Sequence, residues 1–363
     1  MKRLIYSTQL SILFLSILFI LACGGSGGGS GDSPAPPAPA FTTADLAGLS
    51  NTVGVSTGGT NQGIMAGNAT LSSSGIVTSG SYTHSAGANA TLTGGSLSLD
   101  NQGLISGVMN TNVGITSTLL HGKLNASKSF GTFVASTNFG EYDLVTFIKS
   151  GGSFTSADLP GTWHVCEISS GGSLENVYYG TLIVYSGGSF AASRSNGTVS
   201  INSYGIFTGS GNVIPSGTLS INGAMDSSKE FGIFYTVYSS GEYSISIAIK
   251  ETGVFSLSDL AGTWHFTLAS NGASEGISYG TIQLDSAGQV RGGYYKASGG
   301  NVTLSGGSVS ISTAGVLSGI INASDGVTFT LLYGKMNLSK NMMSTAGYSN
   351  TGGRDFIIAH KES

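Results

Sequence analysis

The feature that most constrains the fold is internal repetition: one domain-sized unit is written three times. Each copy opens alike, as Phe41-Thr-Thr-Ala-Asp45-Leu46-Ala-Gly48, Phe154-Thr-Ser-Ala-Asp158-Leu159-Pro-Gly161 and Phe255-Ser-Leu-Ser-Asp259-Leu260-Ala-Gly262. Each closes alike, as Gly122-Lys-Leu-Asn-Ala-Ser-Lys128, Gly223-Ala-Met-Asp-Ser-Ser-Lys229 and Gly334-Lys-Met-Asn-Leu-Ser-Lys340. From that glycine to the last lysine of each copy (Lys149, Lys250, Lys361) is 27 residues every time, and the openings lie 113 and 101 residues apart. A period of this length suits tandem domains rather than short solenoid turns.

The opening has a local mechanism. Thr42/Asp45, Thr155/Asp158 and Ser256/Asp259 have capping-box spacing, and Phe41/Leu46, Phe154/Leu159 and Phe255/Leu260 have hydrophobic-staple spacing. This predicts a short helical turn before the first strand of each unit, with structural rather than catalytic aspartates. The remainder reads as β-structure. In the third copy Trp264, Phe266 and Leu268 alternate with His265 and Thr267, and Val309 and Ile311 alternate with Ser308 and Ser310. Four-residue turns ending in glycine separate such runs, for example Asp285-Ser-Ala-Gly288 and Asn202-Ser-Tyr-Gly205. No stretch is long enough for a crossover helix, so the strands are antiparallel. In the third copy they are placed near 263–269, 280–285, 289–296, 301–305, 307–312, 316–322, 327–337 and 342–349, with a last one at 355–361 to close the ring. About eight antiparallel strands per unit must hide their edges, and closure into a small barrel does so. The predicted fold is all-β: three tandem antiparallel up-and-down barrels of about eight strands, each preceded by a short helical turn.

Residues 1–22 have the layout of a signal peptide. Lys2 and Arg3 are followed by an apolar run from Ser11 to Leu21 that is too short to span a membrane comfortably. Ile20-Leu21-Ala22-Cys23 resembles the lipobox of bacterial lipoproteins. The resemblance implies cleavage before Cys23, lipidation of that residue and attachment to the membrane through it; a plain signal peptide or an uncleaved anchor is the alternative. Gly24 after the cysteine, rather than Asp, implies in the same family delivery to the outer membrane or cell surface. Each buried methylene contributes about 0.8 kcal/mol, so one acyl chain holds only reversibly and two or three hold stably. Gly24 to Ala40 is a tether, Gly/Ser-rich and then Pro-rich, reaching at most about 60 Å. The domain boundaries are thus 1–22 signal, 23–40 lipidated cysteine and tether, and β repeats at 41–150, 151–252 and 253–363.

Gly161-Thr-Trp163 and Gly262-Thr-Trp264 resemble the Gly-x-Trp start of lipocalin- and avidin-type barrels. The resemblance covers about ten residues per copy and implies a calycin-like barrel with a tryptophan at its floor. The first copy departs from it, with Leu49-Ser50 in place of Thr-Trp. Candidate pocket residues are Trp163, Trp264, Glu167 and Tyr333, although Trp264 reads first as core packing. Glu167 is the oddity, because strict alternation from Trp163 aims it inward. Either a bulge rotates it out or it lines a polar point of the interior. Phe329, Leu331, Tyr333 and Met336 are the bulky inward residues of the third copy.

Charge and composition exclude several functions. Charged residues make up 9% and the net charge is −4; without Lys2 and Arg3, 12 basic residues face 18 acidic ones and the charge is −6. No basic face is available for nucleic acid. Hydrophobic residues reach 40%, so the chain is not disordered, and two cysteines exclude a disulfide scaffold. His164 and Cys166 share a strand face, half of a metal site, but no second pair complements them and Thr267 replaces Cys166 in the third copy. No metal and no cofactor is expected, and Cys166 reads as a free, partly shielded thiol open to reaction. His164 and His265 should point outward from their barrels. Gly276-Ile-Ser278-Tyr-Gly280 matches a nucleophile elbow, yet in a Gly/Ser-rich chain the match is expected by chance and no helix follows. Lys128, Lys229 and Lys340 read as solvated rim residues that discourage edge pairing.

These readings leave three functional classes. The first is a membrane-anchored, non-enzymatic interaction or structural lipoprotein, with a protein or a glycan as partner. The second is a carrier holding a small apolar ligand in one or more barrels. The third, a hydrolase, lacks a convergent set of nucleophile, base and orienter. A filled third barrel favours the first class and a void favours the second.

Overall fold

The computed structural model describes residues 41–58, 62–86, 89–170, 176–272, 275–297 and 300–362; the signal segment, Cys23 and the tether lie outside them. The first barrel comprises β1 (Gly48–Thr57), β2 (Gly63–Leu71), β3 (Val77–His84), β4 (Ala90–Leu99), β5 (Ile105–Thr111), β6 (Thr116–Leu124), β7 (Phe130–Thr137) and β8 (Tyr142–Lys149). The second comprises β9 (Gly161–Ser170), β10 (Val177–Val184), β11 (Ser189–Ala192), β12 (Ser195–Ile201), β13 (Ile206–Val213), β14 (Thr218–Met225), β15 (Phe231–Tyr238) and β16 (Tyr243–Lys250). The third comprises β17 (Gly262–Gly272), β18 (Gly276–Leu284), β19 (Val290–Ala297), β20 (Gly300–Ile311), β21 (Val316–Ala323), β22 (Thr328–Met336), β23 (Met342–Ser349) and β24 (Gly353–Lys361). Each strand pairs antiparallel with its sequence neighbours, and the first of each set pairs with the eighth, so all three sheets close. The stretches 301–305 and 307–312 are one strand, β20. Its register shifts between Leu304 and Gly306, so the Gly306-Gly307 pair that reads as a break is a bulge.

A 3-10 turn precedes each barrel, at Thr43–Leu46, Ser156–Asp158 and Leu257–Leu260. In each, the aspartate accepts the amide of the capping residue at 2.8 Å. The paired closing motif explains the constant 27-residue spacing, because both of its ends grip this turn. Lys128, Lys229 and Lys340 sit at φ of +60°, +63° and +57°, the left-handed region that few non-glycine residues adopt. Their turns are held by the side chains of Asn125, Asp226 and Asn337, which accept the amides four and five residues on. Each ammonium then pairs at 2.9 Å with the capping aspartate of its own copy, Asp45, Asp158 or Asp259. The reading of these lysines as merely solvated rim residues is therefore corrected. The last lysines, Lys149, Lys250 and Lys361, donate to the backbone carbonyls of the same aspartates at 2.6, 2.9 and 2.9 Å. Lys229, its largest influence, holds the Asp158 carboxyl below its ordinary value.

Every barrel has its own apolar interior, and a fourth core lies outside all of them. Strands at the seam of each barrel are buried on both faces. Leu144 and Ile148, Ile245, Ile247 and Ile249, and Phe356 and Ile358 point outward and are buried together. Phe130 and Phe231 meet edge to face at 4.7 Å, and Met342 holds the equivalent place in the third copy. The contacts are head-to-tail: β7 and β8 lie on β17 and β18, β22 and β23 on β9 and β10, and β15 and β16 on β1 and β2. A heterologous contact that closes after three steps makes a ring, here within one chain. His164 and His265 do point away from their own barrels, but into these seams, at 6% and 8% exposure rather than in solvent.

Candidate functional site

The three interiors differ in how full they are. The third barrel is packed: Phe329 and Leu331 line a residual cavity of only ≈ 50 Å³, and Met336 is fully buried. The first keeps ≈ 80 Å³. Ser50 stands in it where the other copies have tryptophan, and Phe147 stands where they have Ala248 and Ala359, so bulk lost from one strand returns from its neighbour. Trp163 and Trp264 form the expected floors, each donating its indole N–H to the carbonyl of Leu159 or Leu260, at 2.9 and 2.8 Å. Both are at most 4% exposed, and Trp163 borders a residual space of ≈ 40 Å³ low in its barrel.

The second barrel also holds a cavity of ≈ 250 Å³ above that floor, reached from the opposite end. Its wall is apolar, from Val165, Leu182, Phe190, Leu219, Ile221 and Phe234, and Glu167 stands among them. No bulge interrupts β9 against either neighbour, so alternation from Trp163 carries through and Glu167 faces inward. The interior alternative is the one found. Its carboxylate accepts the Tyr238 hydroxyl at 3.0 Å and the Ser246 hydroxyl at 2.9 Å. Burial raises its proton affinity above the ordinary value, against the lowering effect of these two bonds. Glu242 also lines the cavity, and burial raises it too. Arg194 stands at the opening with its guanidinium 4.4 Å from the centre of the Tyr178 ring.

The other barrels each carry one inward carboxylate on their last strand. Asp143 accepts Ser56, and Asp355 accepts Ser270, both at 2.5 Å. Burial pushes Asp143 up to about 6 and also raises Asp355. In the second barrel the corresponding position is Ser244, and the carboxylate has moved to the first strand as Glu167. Asp143, Asp355, Arg194, Tyr238 and Glu242 are not among the site residues read from the sequence. Continuing the inward series Phe147, Val145 would have reached Asp143, and Ala359, Ile357 would have reached Asp355.

Tyr333 is not an interior residue. A register shift between Leu331 and Tyr333 against β23, matched by one between Leu317 and Gly319 against β21, turns it outward. There it stacks on His164 and Tyr179 of the second barrel, with centroids 5.7 and 5.3 Å apart, and its hydroxyl bonds the His164 ring. A like shift before His121 places that ring on His265 and Tyr279 at 5.6 and 5.1 Å. Cys166 lies in the same seam as Tyr333, 2% exposed, and burial pushes its thiol up to about 12. It is a buried hydrophobe rather than the partly shielded reactive group expected. Among the described residues no cluster of three metal-ligating side chains occurs.

No family model and no curated protein matches this chain. Solved structures similar to it include a transferrin binding protein B double mutant from Haemophilus parasuis, 8% identical, covering 89% of this chain and 76% of that one at a TM-score of 0.30. The isotype 1 transferrin binding protein B of serogroup B Neisseria meningitidis is 11% identical over 82% of this chain and 66% of its own, at a TM-score of 0.26. A de novo designed fluorescence-activating β-barrel is 16% identical over 30% of this chain and 99% of its own, at a TM-score of 0.24.

Proposed function

We propose that this chain is a non-enzymatic, lipid-tethered binding protein of the bacterial outer membrane or cell surface, in which the middle barrel takes a small ligand and the outer two are structural. The observation that carries the reading is the inequality of the interiors: ≈ 250 Å³ in the second barrel against ≈ 80 and ≈ 50 Å³ in the others. An apolar cavity of about 150 Å³ already accommodates a benzene ring, so the middle barrel has room for a small ring-bearing molecule. Asp143, Glu167 and Asp355 each accept a serine hydroxyl inside their barrels, and among the described residues no histidine bonds to any of those serines, which supports binding rather than turnover. A ligand of wholly apolar character suits the cavity less well, because Glu167 is part of its wall.

Gly180 gives the direct test. It lines the cavity, a Cβ built on it meets nothing within 4 Å, and its backbone needs no positive φ. Gly180→Leu is therefore expected to fill the cavity without strain and to keep or slightly raise stability. Protein recovered mildly from membranes is expected to carry a small bound mass in native mass spectrometry, and the variant to lack it. Recovery of wild type with nothing bound would remove the carrier reading. For the anchor, Cys23→Ala is expected to move the protein from the membrane fraction to the soluble one; a variant that stays membrane-bound would contradict lipidation.

A further inference from the structure

We infer that the ligand of the middle barrel is an organic ammonium: a compact apolar body, of about one or two rings, carrying a protonated amine that is received by Glu167. This rests on the binding reading above and specifies its chemistry. Among the described residues two carboxylates, Glu167 and Glu242, line the cavity, and Arg194 is the one cation in its lining. Among the described residues neither acid has an ion pair, since Arg194 is exposed at the opening and faces Tyr178. Glu167 accepts two neutral hydroxyls, whereas an ionised carboxylate offers about four acceptor sites. In its ionised form Glu167 is therefore incompletely bonded and surrounded by low dielectric, which is why burial raises its proton affinity. A cation entering there recovers part of what burial costs the two acids, and an anion meets repulsion. Neutral amphiphiles gain only the apolar wall.

Arg194 has a part in this selection. As a cation held on Tyr178 at the rim, it partly neutralises the same field that draws the ligand. Removing it should strengthen amine binding rather than weaken it, a sign opposite to that expected of a ligand-contacting cation.

The experiment titrates the full-length protein calorimetrically at pH 7.5 with three probes of one shape: 2-phenylethylamine, 2-phenylethanol and 3-phenylpropionate. The amine is expected to bind about tenfold to a hundredfold more tightly than the alcohol, the range of a charge-assisted hydrogen bond, and the carboxylate most weakly. Glu167→Gln is expected to bring the amine to the level of the alcohol. Retention of alcohol binding by that variant shows that its barrel is folded, and Glu242→Gln supplies a second, milder loss. Arg194→Gln is expected to raise amine affinity. Equal affinity for amine and alcohol in wild type would overturn the ammonium assignment while leaving the middle barrel a binding site. Failure of all three probes, together with no bound mass in the recovered protein, would overturn both.

Discussion

Phe231→Ala is expected to lower the unfolding free energy of the whole chain by about 3–5 kcal/mol, the cost of truncating a fully buried phenylalanine. The residue is 1% exposed, and its ring packs edge to face on Phe130 of another barrel. It belongs to no barrel interior. If the barrels were independent beads, an outward side chain on β15 would face water and its loss would matter little. In the ring of head-to-tail contacts it stands where three seams converge, with Ile148, Ile249 and Met342. The consequence reaches beyond one barrel: chemical denaturation of wild type should give a single transition, and the variant should shift that transition as a whole. Tyr204→Ala, on a turn residue 73% exposed, is the control and should change stability by less than about 0.5 kcal/mol. A variant that melts the second barrel alone, leaving a separate transition for the other two, would refute the shared core.

That core shows how far the sequence could be read. Closure, strand direction and the capped turn follow from short-range rules, because hairpin glycines and period-two alternation act over a few residues. Ring packing acts between segments a hundred residues apart. Its trace was nonetheless present: Leu144-Val145-Thr146-Phe147-Ile148 and Ile245-Ser246-Ile247-Ala248-Ile249 are apolar where alternation should place polar residues. A strand buried on both faces reads as a continuous apolar run, and a lone barrel offers only one dry face. Tyr333 was misplaced for a different reason. One bulge residue inverts every assignment beyond it, and nothing in the local sequence announces the register shift after Leu331. Glu167 kept its alternation and was legible, whereas its partners Tyr238 and Ser246 came from β15 and β16 and were not.

The central core also contains a residue that does not fit its place. Ile148 and Ile249 occupy equivalent positions on β8 and β16, and His360 occupies that position on β24. It is 0% exposed, and neither ring nitrogen has a partner. Burial, aided by Lys123, His265 and His121 nearby, depresses its pKa to about 3, so the ring is neutral in the folded chain. His360→Ile is accordingly expected to stabilise the protein at pH 7 by about 1–3 kcal/mol, the cost of an unsatisfied buried polar group removed without loss of volume. The gain should grow with acid. An unfolded histidine takes up its proton near pH 6.5 while the folded one does not, so wild-type stability falls as pH drops through 6.5 and continues to fall towards 3. At pH 5 this adds about 2 kcal/mol to the difference between the proteins. His121, depressed to about 4, contributes to acid sensitivity in both proteins, as does Asp143 in the opposite sense, because its raised value stabilises the folded state when it takes up a proton below about 6. Those two influences cancel in the comparison, which leaves the term of one imidazole. Denaturant melts of both proteins at pH 7 and pH 5 measure it. A gap that stays constant between the two would mean that His360 is already protonated in the fold or reaches solvent, and a variant less stable at pH 7 would mean that the ring's contact with Phe130, at 5.1 Å, outweighs its two unbonded nitrogens.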